Sequence, residues 1–137
     1  VKRLVDAYGR DFVGTPFFIG SSVSVTDVGL IAQLPSIQNV DFDDTDITDN
    51  DLLHLKRLPR LRVLFLNSTS ISKVGLEHLV ATPVEILHLQ HCPRIDDQCV
   101  SVLSRMQSLK ELYISKRNFS PAGIQQLNAA LPNCKID

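Results

Sequence analysis

The sequence predicts an α/β fold: a short right-handed solenoid shaped like a horseshoe, with parallel strands on its concave face and helices on its convex face. Three observations lead there. An apolar residue followed by a small polar one, with a second apolar residue five positions after the first, recurs as Val25-Thr26 with Leu30, Ile47-Thr48 with Leu52, Ile71-Ser72 with Leu76, Ile95-Asp96 with Val100 and Phe119-Ser120 with Ile124. The polar members stand 22 and then 24, 24 and 24 residues apart, a period typical of units that bury their apolar face only against their neighbours. Short period-two alternations precede these sets, and apolar residues at helical spacing follow them.

Each set has the form of a hydrophobic staple around a helix N-cap. The polar side chain accepts a hydrogen bond from a free amide of the first turn, and the residue before it packs on the fourth helical residue. The alternations are Val40-Asp41-Phe42, Leu64-Phe65-Leu66, Leu87-His88-Leu89 and Leu112-Tyr113-Ile114. In a strand, the first and third members then face the core, and the middle residues Asp41, Phe65, His88 and Tyr113 point outward.

Three positions beyond each strand stand Thr45, Thr69 and Cys92, with Val23 earlier. Hydroxyls and thiols of this size fit inside a turn and satisfy its backbone. Arg117 breaks this column, so its turn is expected to swing outward or be remodelled. The helical stripes are Leu52, Leu55 and Leu58; Leu76, Leu79 and Val80; Val100, Leu103 and Met106; Ile124, Leu127 and Leu131. Pro121 suits a first helical position, and Pro35, Pro59 and Pro83 end the first three helices. Strands separated by helices at this spacing must run parallel with right-handed crossovers.

A single domain over 1–137 is expected. Residues 1–16 form an N-terminal helical cap with Leu4, Val5, Tyr8 and Phe12 on one side; 17–130 hold the repeats, starting with a strand at Phe17 to Ile19; 131–137 supply a closing strand with Cys134 and Ile136 inward. At 137 residues the chain is large enough to bury a core without disulfides or metal. A net charge of -1 argues against a general nucleic-acid binder. No apolar run approaches the roughly 18 residues of a membrane span, and no signal peptide is visible. The chain opens on Val1, which leaves room for an excised or processed form with an upstream anchor, so cytoplasmic and membrane-tethered locations stay equally open. Cys92, Cys99 and Cys134 form no even framework and no paired CxxC spacing, and are expected to be reduced.

The stretch Leu87-His88-Leu89-Gln90-His91-Cys92-Pro93-Arg94-Ile95-Asp96-Asp97, continued by Val100 and Leu103, resembles the cysteine-containing leucine-rich repeat. Val25-Thr26-Asp27-Val28-Gly29-Leu30, Ser72-Lys73-Val74-Gly75-Leu76-Glu77-His78-Leu79 and Ala130-Leu131-Pro132-Asn133-Cys134-Lys135-Ile136 are similar to the bacterial form abundant in planctomycetes, as is the opening from Arg3-Leu4 to Gly9-Arg10-Asp11-Phe12. The resemblance implies a leucine-rich-repeat solenoid acting as a protein-interaction module, with no catalytic residues to carry over. Related repeats occur in ubiquitin-ligase adaptors and in a mitochondrial coupling-factor-like group, but no F-box pattern is present. Lys73, where Asp is usual after the cap, and Arg117 in the turn column depart from the pattern.

In register, the outward strand positions form three rows: Asn39, Val63, Ile86 and Glu111; Asp41, Phe65, His88 and Tyr113; Asp43, Asn67, Gln90 and Ser115. Aromatic side chains offer contact area at low entropy cost, so the expected function is non-enzymatic binding of a protein or peptide on the concave sheet, through Asn39, Asp41, Asp43, Val63, Phe65, Asn67, Ile86, His88, Gln90, Glu111 and Tyr113. The alternative is a structural spacer in a larger protein, with no concave-face ligand. A monomer is expected, with no nucleic-acid partner, cofactor, metal or catalytic residue.

His88, His91 and Cys92 have metal-ligating chemistry, but alternation sends His88 outward and Cys92 inward. The acidic run from Asp41 to Asp51 fails as an EF-hand, because Asp46 occupies the glycine position and Leu52 the terminal glutamate position. Asp49 and Asp51 are expected as first-turn acids favoured by the helix dipole. Lys56, Arg57, Arg60 and Arg62 are expected at a solvated rim, where cations suit a helix end.

Overall fold

A computed structural model describes residues 28–137. The proposed N-terminal cap, the first strand, Val23 in the turn column and the Val25-Thr26 staple lie outside the described residues. The chain enters on α1 (Val28–Ile31) and runs through β1 (Asn39–Asp41), a 3-10 helix (Asp51–Arg57), β2 (Val63–Phe65), α2 (Lys73–Leu79) and β3 (Ile86–Leu89). A short 3-10 turn (Asp97–Cys99) leads into α3 (Val100–Leu103), followed by β4 (Glu111–Ile114), a 3-10 turn (Lys116–Asn118), α4 (Pro121–Ala130) and β5 (Lys135–Ile136).

The five strands form one parallel sheet in chain order. Asp41 pairs with Phe65, Phe65 with His88, and His88 with Tyr113, the register that the alternations require. Val40, Phe42, Leu64, Leu66, Leu87, Leu89, Leu112 and Ile114 are buried. They meet the buried helical residues Leu52, Leu55, Leu76, Leu79, Val100, Leu103 and Leu127 in one core. β5 closes this sheet beside β4, with Cys134 and Ile136 half-buried against the core.

Three of the caps do what their spacing implies, whereas the helix after Thr48 starts only at Asp51, with Asn50 before it and no side-chain cap bond. Ser72 Oγ accepts from the Val74 amide at 3.2 Å, Asp96 Oδ1 from the Gln98 amide at 2.9 Å, and Ser120 Oγ from the Gly123 amide at 3.0 Å. At Thr48 the arrangement is reciprocal: the Thr48 amide and hydroxyl each donate to Asp51 Oδ2 at 2.8 Å, and the Asp51 amide donates to Thr48 Oγ1 at 3.3 Å. Asp51 is thus the first-turn acid expected, and it also ties Thr48 to the helix start. Asp49 departs from expectation: it lies in the turn before the 3-10 helix, and its oxygens accept from the Ser72 amide at 2.7 Å and the Ser72 hydroxyl at 2.6 Å, across the repeat boundary.

The turn column holds the strand ends. Thr45 and Thr69 hydroxyls each donate at 2.7 Å to carbonyls three residues back, those of Phe42 and Leu66. The Cys92 thiol donates to the same Leu66 carbonyl at 3.0 Å. Asp44, Ser68 and His91 bend these turns at φ of 55°, 56° and 59°. The turn after β4 is remodelled, as Arg117 requires: a 3-10 turn takes its place and Arg117 stays exposed. Asn118 supplies the missing donor, its Nδ2 reaching the Cys92 and Ile95 carbonyls at 3.2 and 3.3 Å.

Candidate interaction surface

The middle outward row is a continuous stack. The Phe65 and His88 rings lie 4.4 Å apart at 20°, and the His88 and Tyr113 rings 4.3 Å apart at 10°. Strand neighbours sit about 4.8 Å apart, so planar side chains at one register position come into face contact without adjusting the backbone. All three are half-buried. Packing among the rings pushes the His88 imidazole below its ordinary value, against the pull of the Asp43, Glu111 and Asp41 carboxylates.

Asp41 continues this row at its β1 end, and its Oδ1 accepts from the Asp43 amide at 2.8 Å. Burial raises the Asp41 carboxyl, the Asp43 bond lowers it, and the nearby Asp43 and Asp44 charges raise it further. At the other end the Tyr113 hydroxyl donates to Glu111 Oε2 at 2.5 Å. That bond, together with desolvation, raises the phenol. Lys135 Nζ stands 5.9 Å from the Tyr113 ring centroid and 2.7 Å from Asp137 Oδ2.

The first row holds half-buried Asn39, Val63, Ile86 and Glu111, and β5 extends it with Lys135 opposite Glu111. Lys135 escapes a reading centred on the long alternations, although its place between Cys134 and Ile136 puts it outward. In the third row Asp43, Asn67 and Ser115 are committed to the chain itself. Asp43 accepts from the Asn67 amide at 2.6 Å and from Asn67 Nδ2 at 3.0 Å, and Asn67 Oδ1 accepts from the Gln90 amide at 2.7 Å. The Ser115 hydroxyl accepts from the His91 amide at 2.8 Å. These side chains tie strand ends together and present only their remaining edges to a partner.

Beside the strand starts, Glu85 receives Arg62 at 3.0 Å and Lys110 at 3.2 Å. The bonds from Arg62 and Lys110 hold its carboxyl below the usual range. Arg62 thus belongs to an ion-pair network and is exposed, as are Lys56, Arg57 and Arg60. Cys92 and Cys99 are buried free thiols and Cys134 is half-buried. His91 is exposed while Cys92 is buried, so the pair does not face one site. Among the described residues no three His, Cys, Asp or Glu side chains gather as a metal site, and no helix is long and apolar enough to cross a membrane.

No protein-family model matches the sequence, and no curated protein matches it. Solved structures do. The tropomodulin C-terminal domain from Caenorhabditis elegans is 19% identical, with 90% of this chain and 85% of that one covered at a TM-score of 0.66. The leiomodin-1 actin-binding site 2 is 12% identical, with coverage of 85% and 79% and a TM-score of 0.67. The chain has a leucine-rich-repeat-like solenoid fold. The expected membership of the bacterial, planctomycete-type repeat proteins is corrected by these neighbours, which are tropomodulin and leiomodin domains. The physical reason is that staples, caps and alternating strands are demanded by stacking itself, so they specify this architecture and not a lineage.

Proposed function

We propose that this chain is a non-enzymatic leucine-rich-repeat module that binds a protein or peptide on its concave sheet. The observation that carries this is the stack of Phe65, His88 and Tyr113, half-exposed and held in register by three adjacent strands. A rigid aromatic surface loses little entropy on binding, and such residues are enriched among binding hot spots. The leiomodin-1 neighbour is an actin-binding site, which accords with a protein-binding use of this scaffold; at 12% identity it carries no partner over. His88 lies between two rings and the Cys92 thiol is engaged with the Leu66 carbonyl, an arrangement unlike an activated nucleophile and its base.

The partner-binding set is Asn39, Asp41, Val63, Phe65, Ile86, His88, Glu111 and Tyr113, with Asp43, Asn67 and Gln90 at its margin. The test is capture of partners from the native host by the wild-type chain and by a Phe65→Ala/Tyr113→Ala variant of matched melting temperature. Loss of capture by about thirtyfold, the scale of a hot spot of about 2 kcal/mol, supports the concave surface. Leu53 and Val74, exposed at 43% and 60% away from the strands, favour a second reading, in which the chain is a spacer that makes its contacts through the helices. Under that reading Leu53→Ser/Val74→Ser loses capture and the double alanine variant keeps it.

A further inference from the structure

The aromatic stack lies in an acidic field. Asp41 extends its row at β1, Asp43 stands in the next row, Asp44 is exposed in the following turn, and Glu111 flanks Tyr113. Three described cations near this face are matched within the chain: Arg62 and Lys110 meet Glu85, and Lys135 meets Asp137. Among the described residues no ion pair includes Asp41, Asp43, Asp44 or Glu111. The chain also holds its own instance of a cation beside this stack, since the Lys135 ammonium stands over Tyr113, an arrangement favoured by the negative face of an aromatic ring. The strand beside Phe65 carries Asp41 in the same row.

Resting on the concave-face reading above, we infer that the partner presents a basic, extended peptide segment, whose Arg or Lys side chains meet Asp41, Asp44 and Glu111 while an apolar side chain between them lies against Phe65, His88 and Tyr113. The charge pattern disfavours an acidic segment, which would set carboxylates or phosphates against four carboxylates. Rim charges of this kind act chiefly by steering encounter and selecting the partner's sign, and they weaken with salt.

The test is fluorescence anisotropy with the whole chain and three labelled peptides of equal length, alternating Leu with Arg, Ser or Glu. Two variants are used. Asp41→Asn/Asp44→Asn/Glu111→Gln keeps an acceptor at each position and removes the charge; Phe65→Ala/Tyr113→Ala removes the rings. Melting curves confirm that both fold. The expected result is that the Arg-Leu peptide binds about tenfold or more tighter than the Ser-Leu peptide and the Glu-Leu peptide does not bind, with the preference falling as salt rises. The neutralised variant should lose the preference for Arg, and the ring variant should weaken both the Arg and Ser peptides. Equal binding of the Arg and Ser peptides, an unchanged preference in the neutralised variant, or no binding of the Arg-Leu peptide overturns the inference. Such a failure is distinguishable from failure of the concave-face reading, which falls only if the ring variant keeps full capture of host partners.

Discussion

Asp49 holds Ser72 with both carboxylate oxygens across the boundary between two repeats, Oδ1 on the amide at 2.7 Å and Oδ2 on the hydroxyl at 2.6 Å. Ser72 is at the same time the N-cap of α2, so one side chain fixes the start of a helix to the turn of the repeat before it. Asp97 repeats the device, its Oδ1 accepting from the Ser120 amide at 2.9 Å. The carboxylate needs room above the first helical turn, and glycine supplies it at both sites. A Cβ on Gly75 would stand 2.5 Å from Asp49 Oδ1 and 3.0 Å from the Ile71 side chain, and one on Gly123 would collide with Asp97 Oδ1.

Gly75→Ala should therefore destabilise the fold, although alanine is ordinarily the better helix former. The clash is with a hydrogen-bonded carboxylate and the buried Ile71 side chain, and overpacking of this kind costs about 1–3 kcal/mol. Urea denaturation measures it. A gain in stability, as helix propensity alone would give, would show that the Asp49 contact does not constrain this position.

The repeat between these two lacks the device, and its two departures belong together. Lys73 stands in the place of Asp49 and Asp97, where an ammonium offers no acceptor, and Cys99 stands in the place of Gly75 and Gly123. With no carboxylate overhead, a side chain fits: Cys99 is buried, and its thiol faces the Arg94 carbonyl at 3.7 Å. Lys73→Asp and Cys99→Gly are thus expected to couple. Each alone should destabilise, the first by a clash and the second by loss of buried contacts, and the pair should be less damaging than their sum by about 1 kcal/mol or more. A double-mutant cycle on chemical denaturation decides it, with simple additivity counting against the proposed exchange.

The caps and core were legible because they depend on residues close in sequence: a staple spans five positions and a strand face alternates every two. The ring stack was legible for the same reason, since equal spacing of the strands places Phe65, His88 and Tyr113 at one register position. What sequence reading missed lies between repeats. Asp49 has the features of a first-turn acid until the stacking brings Ser72 to it, 23 residues on. Asp43 and Asn67 alternate outward, but their short polar side chains turn back onto the amide of the next strand end. Choice of 3-10 over α geometry for Asp51–Arg57 is likewise set by contacts that no local pattern records.

Asn118 is a further such case, and its role gives a direct prediction. It stands in a turn that has lost the small-residue column, and its amide nitrogen serves the carbonyls of Cys92 and Ile95 in the preceding repeat. Asn118→Ala should cost about 1–2 kcal/mol, because it leaves the Ile95 carbonyl without its donor while the Cys92 carbonyl keeps the Ile95 amide at 3.2 Å. Asn118→Asp should cost more than the alanine variant, because it sets an acceptor against two acceptors. Thermal melts of the two variants give the ranking, and a milder effect for Asp would remove Asn118 from this role.

His88 makes the stability of the fold depend on pH in a defined direction. Packing between Phe65 and Tyr113 depresses its folded pKa below the ordinary 6.5, with Asp43, Glu111 and Asp41 opposing the shift. Between the depressed value and 6.5 the unfolded chain binds more protons than the folded one, so stability falls as pH drops through that interval and is intact above it. Asp41 has the opposite sign, because its folded pKa is raised from 3.8 and folding is favoured as pH falls through the range just above that value. His88→Phe keeps a ring in the stack and removes the titration. Urea midpoints measured downward from about pH 7 should therefore decline more steeply for the wild-type chain than for His88→Phe. Asp41→Asn removes one of the charges that oppose the His88 shift, so it should deepen the first part of that decline as well as change its more acidic end. If His88→Phe declines as steeply as the wild type, the slope belongs to another group, and the imidazole is not held neutral by its neighbours.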